Sequence, residues 1–110
     1  MIDWTRVADL RSEIGEDGFA EVIDLFLEET DEVTLRLSQA GIGPMIGSDL
    51  HFLKGSALNL GFSDLAHLCA DGERMAGANE STGIDLGRIL RCYHASKITF
   101  QDGLRRASAA

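Results

Sequence analysis

Apolar residues recur along most of the chain at spacings of three and four, which is the period of an amphipathic α-helix. The clearest stripe consists of Phe19, Val22, Ile23, Phe26, Leu27, Thr30, Val33 and Leu37. The opposite side of the same segment carries Glu21, Asp24, Glu28, Glu29 and Glu32. We interpret this acidic side as a solvated face, so the pattern predicts a long helix with one buried side.

A shorter helix is predicted before this one. Residues 2–14 place apolar side chains on one face, and Asp3 or Thr5 is expected near the N-cap. The sequence GEDG at residues 15–18 is expected to interrupt the chain before the long helix.

Three more helices complete the predicted fold. The third helix is expected to run from Pro44, as its first helical residue, to Leu60. The fourth helix is expected to follow an N-cap at Ser63, and the fifth is expected to span about residues 84–106. Lys97 interrupts the apolar stripe of the fifth helix, so either its stem snorkels past apolar neighbours or the helix is irregular. Short connections favour antiparallel neighbours. We therefore predict an all-α, up-down antiparallel four-helix bundle with an additional short N-terminal helix, as one domain over residues 1–110.

Composition narrows the classes of partner and compartment. A net charge of −8 and a pI near 4.7 argue against nucleic acid and against an anionic membrane surface. We expect no membrane span and no signal peptide, because no sufficiently long apolar run is present. Cys69 and Cys92 are far apart and lack CxxC spacing, so we expect reduced, half-buried thiols in a cytoplasmic protein.

His51 is predicted to lie on a face of the third helix that points away from its apolar stripe. At about 100° per residue, His51 lies about 140° and Gly55 about 180° from the stripe centre. That stripe consists of Ile46, Leu50, Leu53, Ala57 and Leu60. We expect Gly55 to leave bare backbone one turn from the imidazole, since a side chain there would crowd the ring. Lys54 is the nearest cationic residue, and Leu58 is expected to be exposed.

An exposed imidazole is a nucleophile that forms covalent intermediates, and a neighbouring lysine can stabilise phosphoryl oxygens. The sequence has no glycine-rich phosphate loop, no nucleotide motif and no carboxylate pair beside His51. The chain is therefore expected to accept and donate a phosphoryl group without kinase activity of its own.

The segment HFLKGSALNLGF, residues 51–62, resembles the signature of histidine-containing phosphotransfer (HPt) domains, approximately H-x-L-K-G-S-[SA]-x-x-[LIV]-G. The resemblance extends over about residues 3–75, whereas the last helix is similar only in pattern. It implies that His51 is phosphorylated, on Nε2, by an aspartyl phosphate of a receiver domain and passes the group to another receiver. Lys54 would neutralise the phosphate and Gly55 would give access to the ring.

The resemblance also implies the partners of a bacterial two-component phosphorelay. Receiver domains of response regulators or hybrid sensor kinases would dock around Ser48, Phe52 and Leu58. The receiver would supply Mg²⁺, so we expect no cofactor in this chain, which is expected to be a monomer.

Three other interpretations remain open. In the first, the bundle docks a receiver or a kinase without transferring a phosphoryl group. In the second, the chain is a fragment of a hybrid sensor kinase, although the initial methionine and the short tail favour a stand-alone protein. A small hydrolase or metal-binding bundle is a weaker alternative, because no second catalytic group flanks His51 on the helical wheel. His67 and His94 lack zinc-ligand spacing and are expected to be structural or solvated. Arg105 and Arg106 are expected to close a helix C-terminus.

Overall fold

A computed structural model describes residues 1–109, and its regular structure is helical. The helices are α1 (Trp4–Ile14), α2 (Glu16–Ala40), α3 (Ile46–Leu60), α4 (Ser63–Gly77) and α5 (Leu86–Ala109), with a 3₁₀ turn at Ser81–Gly83. Helices α2 to α5 pack as a bundle, and α1 packs against α2 and α3. The predicted all-α bundle with an additional short N-terminal helix is confirmed.

The core of the bundle receives side chains from every helix. Phe62, Tyr93 and Phe100 form an aromatic cluster in which the Phe62 ring lies 5.3 Å from that of Phe100 and 6.3 Å from that of Tyr93. All three side chains are fully buried. Burial of each such side chain contributes about 1.5–3 kcal/mol, so this cluster is a main source of the stability that holds α5 in the bundle.

Several helix ends differ from the sequence-based boundaries. Gly15 alone separates α1 from α2, and α2 already begins at Glu16. The predicted break over residues 15–18 was therefore too long, because acidic residues in the first turn favour a helix N-terminus. Asp3 is confirmed as the α1 N-cap, since its carboxylate accepts a hydrogen bond from the Arg6 backbone N–H at 3.1 Å.

The starts of α3 and α4 were also misplaced by one or two residues. Pro44 lies in the turn before α3, which begins at Ile46. Ser63 is the first helical residue of α4 and not its N-cap, a position occupied by Phe62. Phe62 takes that place because its side chain is buried in the core, which fixes the turn between α3 and α4.

Lys97 links α5 to α2 instead of disturbing α5. Its ammonium donates a hydrogen bond to Asp31 Oδ2 at 2.7 Å, while the buried Tyr93 hydroxyl donates one to Asp31 Oδ1 at 2.5 Å. The snorkelling alternative is therefore correct: the Lys97 stem crosses apolar neighbours to reach a carboxylate, and α5 stays helical throughout.

The N-terminal segment is tied to the end of α3. The Asp3 N–H donates to the Gly61 carbonyl at 2.7 Å, and the Ser63 N–H donates to the Met1 carbonyl at 3.1 Å. Gly61 has φ +77°, a left-handed conformation that strongly favours glycine. The helix that carries His51 is therefore anchored at its C-terminal end.

Candidate functional site

The α3 helix presents His51 to solvent because its other side is buried. Leu50 and Leu53 are fully buried, which fixes the rotation of the helix. The His51 side chain is 73% exposed. Phe52 and Leu58 are exposed apolar residues on the same helix.

Ser48, at the N-terminal end of α3, is also exposed. The positions singled out from the sequence on α3 are therefore accessible from outside the bundle.

Glu73 of α4 contacts both His51 and Lys54, and sequence reasoning did not find it. Its Oε2 lies 3.3 Å from His51 Nδ1, and its Oε1 lies 3.0 Å from Lys54 Nζ. The sequence analysis expected no carboxylate pair beside His51, and it did not foresee this single carboxylate because the helical wheel describes α3 in isolation. The available signal was spacing on α4: Glu73 follows the buried Cys69 by four residues, so both lie on the face that packs toward the bundle.

Close packing of α4 on α3 brings Glu73 to this place. A methyl group at Gly72 would lie 2.6 Å from Leu50 Cδ1, a distance that real side chains essentially never show. Gly72 immediately precedes Glu73, and Leu50 immediately precedes His51. The missing side chain at Gly72 therefore lets the two helices approach where His51 and Glu73 meet.

The charges around the imidazole favour an ionised Glu73. Partial burial acts to raise the pKa of Glu73, but the contacts with Lys54 and His51 outweigh it and hold that pKa below its usual value. When Nδ1 carries the ring proton, it donates a hydrogen bond to Glu73 Oε2. The lone pair of Nε2 is then free on the outer side of the ring, where a nucleophile would need it.

Gly55 is exposed, and the surrounding space is open. A methyl group built on Gly55 has no atom within 4 Å outside the local backbone. The expectation that a side chain at this position would crowd the imidazole is wrong for the first carbon, because the ring leans toward Glu73. Packing within residues 1–109 therefore leaves room for a methyl group at Gly55.

The remaining histidines and the cysteines lie outside this site. His67 and His94 are exposed. Both cysteines are free thiols; Cys92 is half-buried, but Cys69 is fully buried, and its burial raises the pKa of the Cys69 thiol to about 12. Within residues 1–109, no group of three or more His, Cys, Asp or Glu side chains is arranged to hold a metal ion.

The helices of residues 1–109 include none with both the length and the apolar character needed to cross a bilayer.

Comparison with known proteins identified one matching protein family. The model of the Hpt domain family matches residues 21–109. The match includes α5, for which the sequence resemblance extended only to pattern, and it leaves out α1. No curated protein and no solved structure matched the chain.

Proposed function

Because the chain belongs to the Hpt domain family, the phosphotransfer modules of two-component signalling, we propose that it is a phosphorelay carrier that holds its phosphoryl group on His51. The group would pass between receiver-domain aspartates of a sensor kinase and a response regulator. The observation that carries this proposal is the orientation of the ring, whose Nδ1 faces Glu73 while the side chain is 73% exposed.

Transfer to His51 needs only a nucleophile in this chain. The Nε2 lone pair attacks the phosphorus of the receiver's aspartyl phosphate, the P–O bond breaks, and the aspartate carboxylate leaves with the bonding electron pair. The Nδ1 proton stays on the ring, where Glu73 Oε2 accepts its hydrogen bond and offsets the positive charge that develops. Transfer onward is the reverse reaction with a second receiver.

The neighbouring residues have distinct proposed roles. Lys54 supplies positive charge for the phosphoryl oxygens, and Gly55 gives a receiver access to the imidazole. Ser48, Phe52 and Leu58 form the docking surface around them.

The reaction needs Mg²⁺ on the receiver and no cofactor in this chain, which has no autonomous kinase activity. We further propose a bacterial, cytoplasmic monomer in which residues 1–110 form one domain.

The direct test is transfer from receiver domains that carry radiolabelled phosphate. The parent protein is expected to acquire the label from at least one member of a broad receiver panel, and the His51→Gln variant is expected to acquire none. Absence of label on the parent, under conditions in which a known carrier is labelled, would favour a docking module without turnover. Equal labelling of the parent and the variant would exclude His51 as the carrier.

A further inference from the structure

The Glu73 carboxylate is shared between the two side chains that would handle the phosphoryl group. It contacts His51 Nδ1 at 3.3 Å and Lys54 Nζ at 3.0 Å. The side chains of Glu73 and Lys54 are only 24% and 30% exposed, so this ion pair is partly shielded from water. Lys54 therefore already has an anionic partner before any phosphoryl group arrives.

A phosphoryl group on His51 would change this balance of charges. Phosphoryl groups carry on the order of −1.5 to −2 charges near neutral pH, and this one would be attached to a ring that touches an ionised carboxylate. The lysine stem is flexible and its ammonium has three N–H donors, so Lys54 is able to turn from the carboxylate to phosphoryl oxygens. Glu73 favours the first arrangement and repels the added charge.

We propose, on the basis of the carrier function above, that Glu73 and the phosphoryl group on His51 compete for Lys54, so that Glu73 shortens the time for which His51 stays phosphorylated. Release of the phosphoryl group from His51 involves the same bond changes whether the acceptor is a receiver aspartate or water. An oxygen nucleophile attacks phosphorus, the Nε2–P bond breaks, and its electron pair returns to the ring, which keeps its Nδ1 proton. In hydrolysis, both protons of the attacking water remain on the released dihydrogen phosphate. In this effect on the lifetime, Glu73 acts through Lys54 as a positioning residue, separately from its hydrogen bond to the ring Nδ1.

The lifetime can be measured without any receiver. Phosphoramidate, a small donor with a P–N bond, transfers its phosphoryl group to histidine as ammonia leaves with the electron pair of that bond. After removal of the donor, loss of acid-labile phosphate is followed for the parent and for Glu73→Gln, and the signal of His51→Gln is subtracted to remove label on His67 and His94. We expect the half-life to be about threefold longer in Glu73→Gln, the scale of a partly exposed ion pair.

A matched control removes a negative charge from the same helix. Asp71 is exposed and pairs with Arg74 at 2.8 Å. The Asp71→Asn variant is expected to keep the parent half-life. Equal half-lives for the parent and Glu73→Gln, or the same increase in Asp71→Asn, would contradict the competition.

The double variant Lys54→Ala, Glu73→Gln isolates the role of Lys54. If the carboxylate acts by holding Lys54, Glu73→Gln should change the half-life little once Lys54 is replaced. A threefold increase in both backgrounds would overturn the competition and would place the effect of Glu73 on the ring itself. Failure of every receiver to phosphorylate His51 would instead contradict the carrier function, while these half-lives would still be measurable.

Discussion

At the scale of single residues, Gly55 is a position where the stability of the fold and the proposed access to His51 favour different residues. Glycine inside a helix lowers stability by about 0.5–1 kcal/mol relative to alanine. Packing among residues 1–109 does not exclude a methyl group here, because it would have no atom within 4 Å outside the local backbone. The proposed access role of Gly55, in which a receiver approaches α3 closely, would account for this cost.

The Gly55→Ala variant is expected to be more stable and less active. Its free energy of unfolding should rise by about 0.5–1 kcal/mol, which denaturant titration measures. Transfer from a receiver should slow by about tenfold or more, because misplacement of reacting groups by about 1 Å has effects of that order or larger. Labelling of His51 by phosphoramidate should be unchanged, since so small a donor reaches the exposed imidazole without packing against the backbone at Gly55. Unchanged transfer from the receiver would contradict the access role of Gly55.

At the scale of secondary-structure elements, the junction of α3 and α4 positions His51 and is itself held by the N-terminal segment. Gly61 adopts φ +77°, and a methyl group there would lie 2.6 Å from the Asp3 carbonyl oxygen. The Asp3 carbonyl oxygen belongs to the backbone, so it cannot move away from a methyl group as easily as the end of a flexible side chain could. A substitution would therefore strain the turn and displace the segment that leads into α1.

The Gly61→Ala variant is expected to lose about 1–3 kcal/mol of unfolding free energy, from left-handed strain together with the clash. Thermal and denaturant unfolding measure this loss. Gly77→Ala is the matched control, because a methyl group at Gly77, the last residue of α4, meets nothing within 4 Å and should leave stability unchanged or slightly higher. A neutral Gly61→Ala variant would mean that the N-terminal segment is not packed against the turn in solution.

The limits of sequence-based prediction also appear at this scale. The rotation of α3, with His51 outward, was predictable because helical periodicity is a local property. The contact of Glu73 with His51 was not predictable in the same way, because it joins side chains 22 positions apart on two helices. It depends on the distance between α3 and α4, which is set by the close approach of Gly72 to Leu50. The pairing of Lys97 with Asp31 depends in the same way on how α5 packs against α2.

At the scale of the whole molecule, the Asp31 carboxylate ties α2 to α5 and makes stability depend on pH. Partial burial acts to raise the pKa of Asp31, but hydrogen bonds from Lys97 and Tyr93 outweigh it, and this pKa is lowered from its ordinary value of 3.8. A carboxylate with a lowered pKa in the folded state stabilises the fold above its unfolded pKa. That contribution is lost as the pH falls through the lowered pKa.

The Asp31→Asn variant is expected to flatten part of the acid dependence. Urea unfolding between neutral pH and about pH 3 should show a smaller decrease in unfolding free energy for the variant than for the parent. Asp24→Asn, at an exposed position of the same helix, is the control and should follow the parent. Parallel curves for the parent and Asp31→Asn would contradict a stabilising role for the charged Asp31.

The measurement that most directly tests the account is the position and chemistry of the phosphoryl group after transfer from a receiver. We expect one acid-labile, base-stable label per chain, present in the parent, His67→Gln and His94→Gln, and absent from His51→Gln. Label that persists in His51→Gln, or that is stable in acid, would contradict a phosphohistidine carrier at His51.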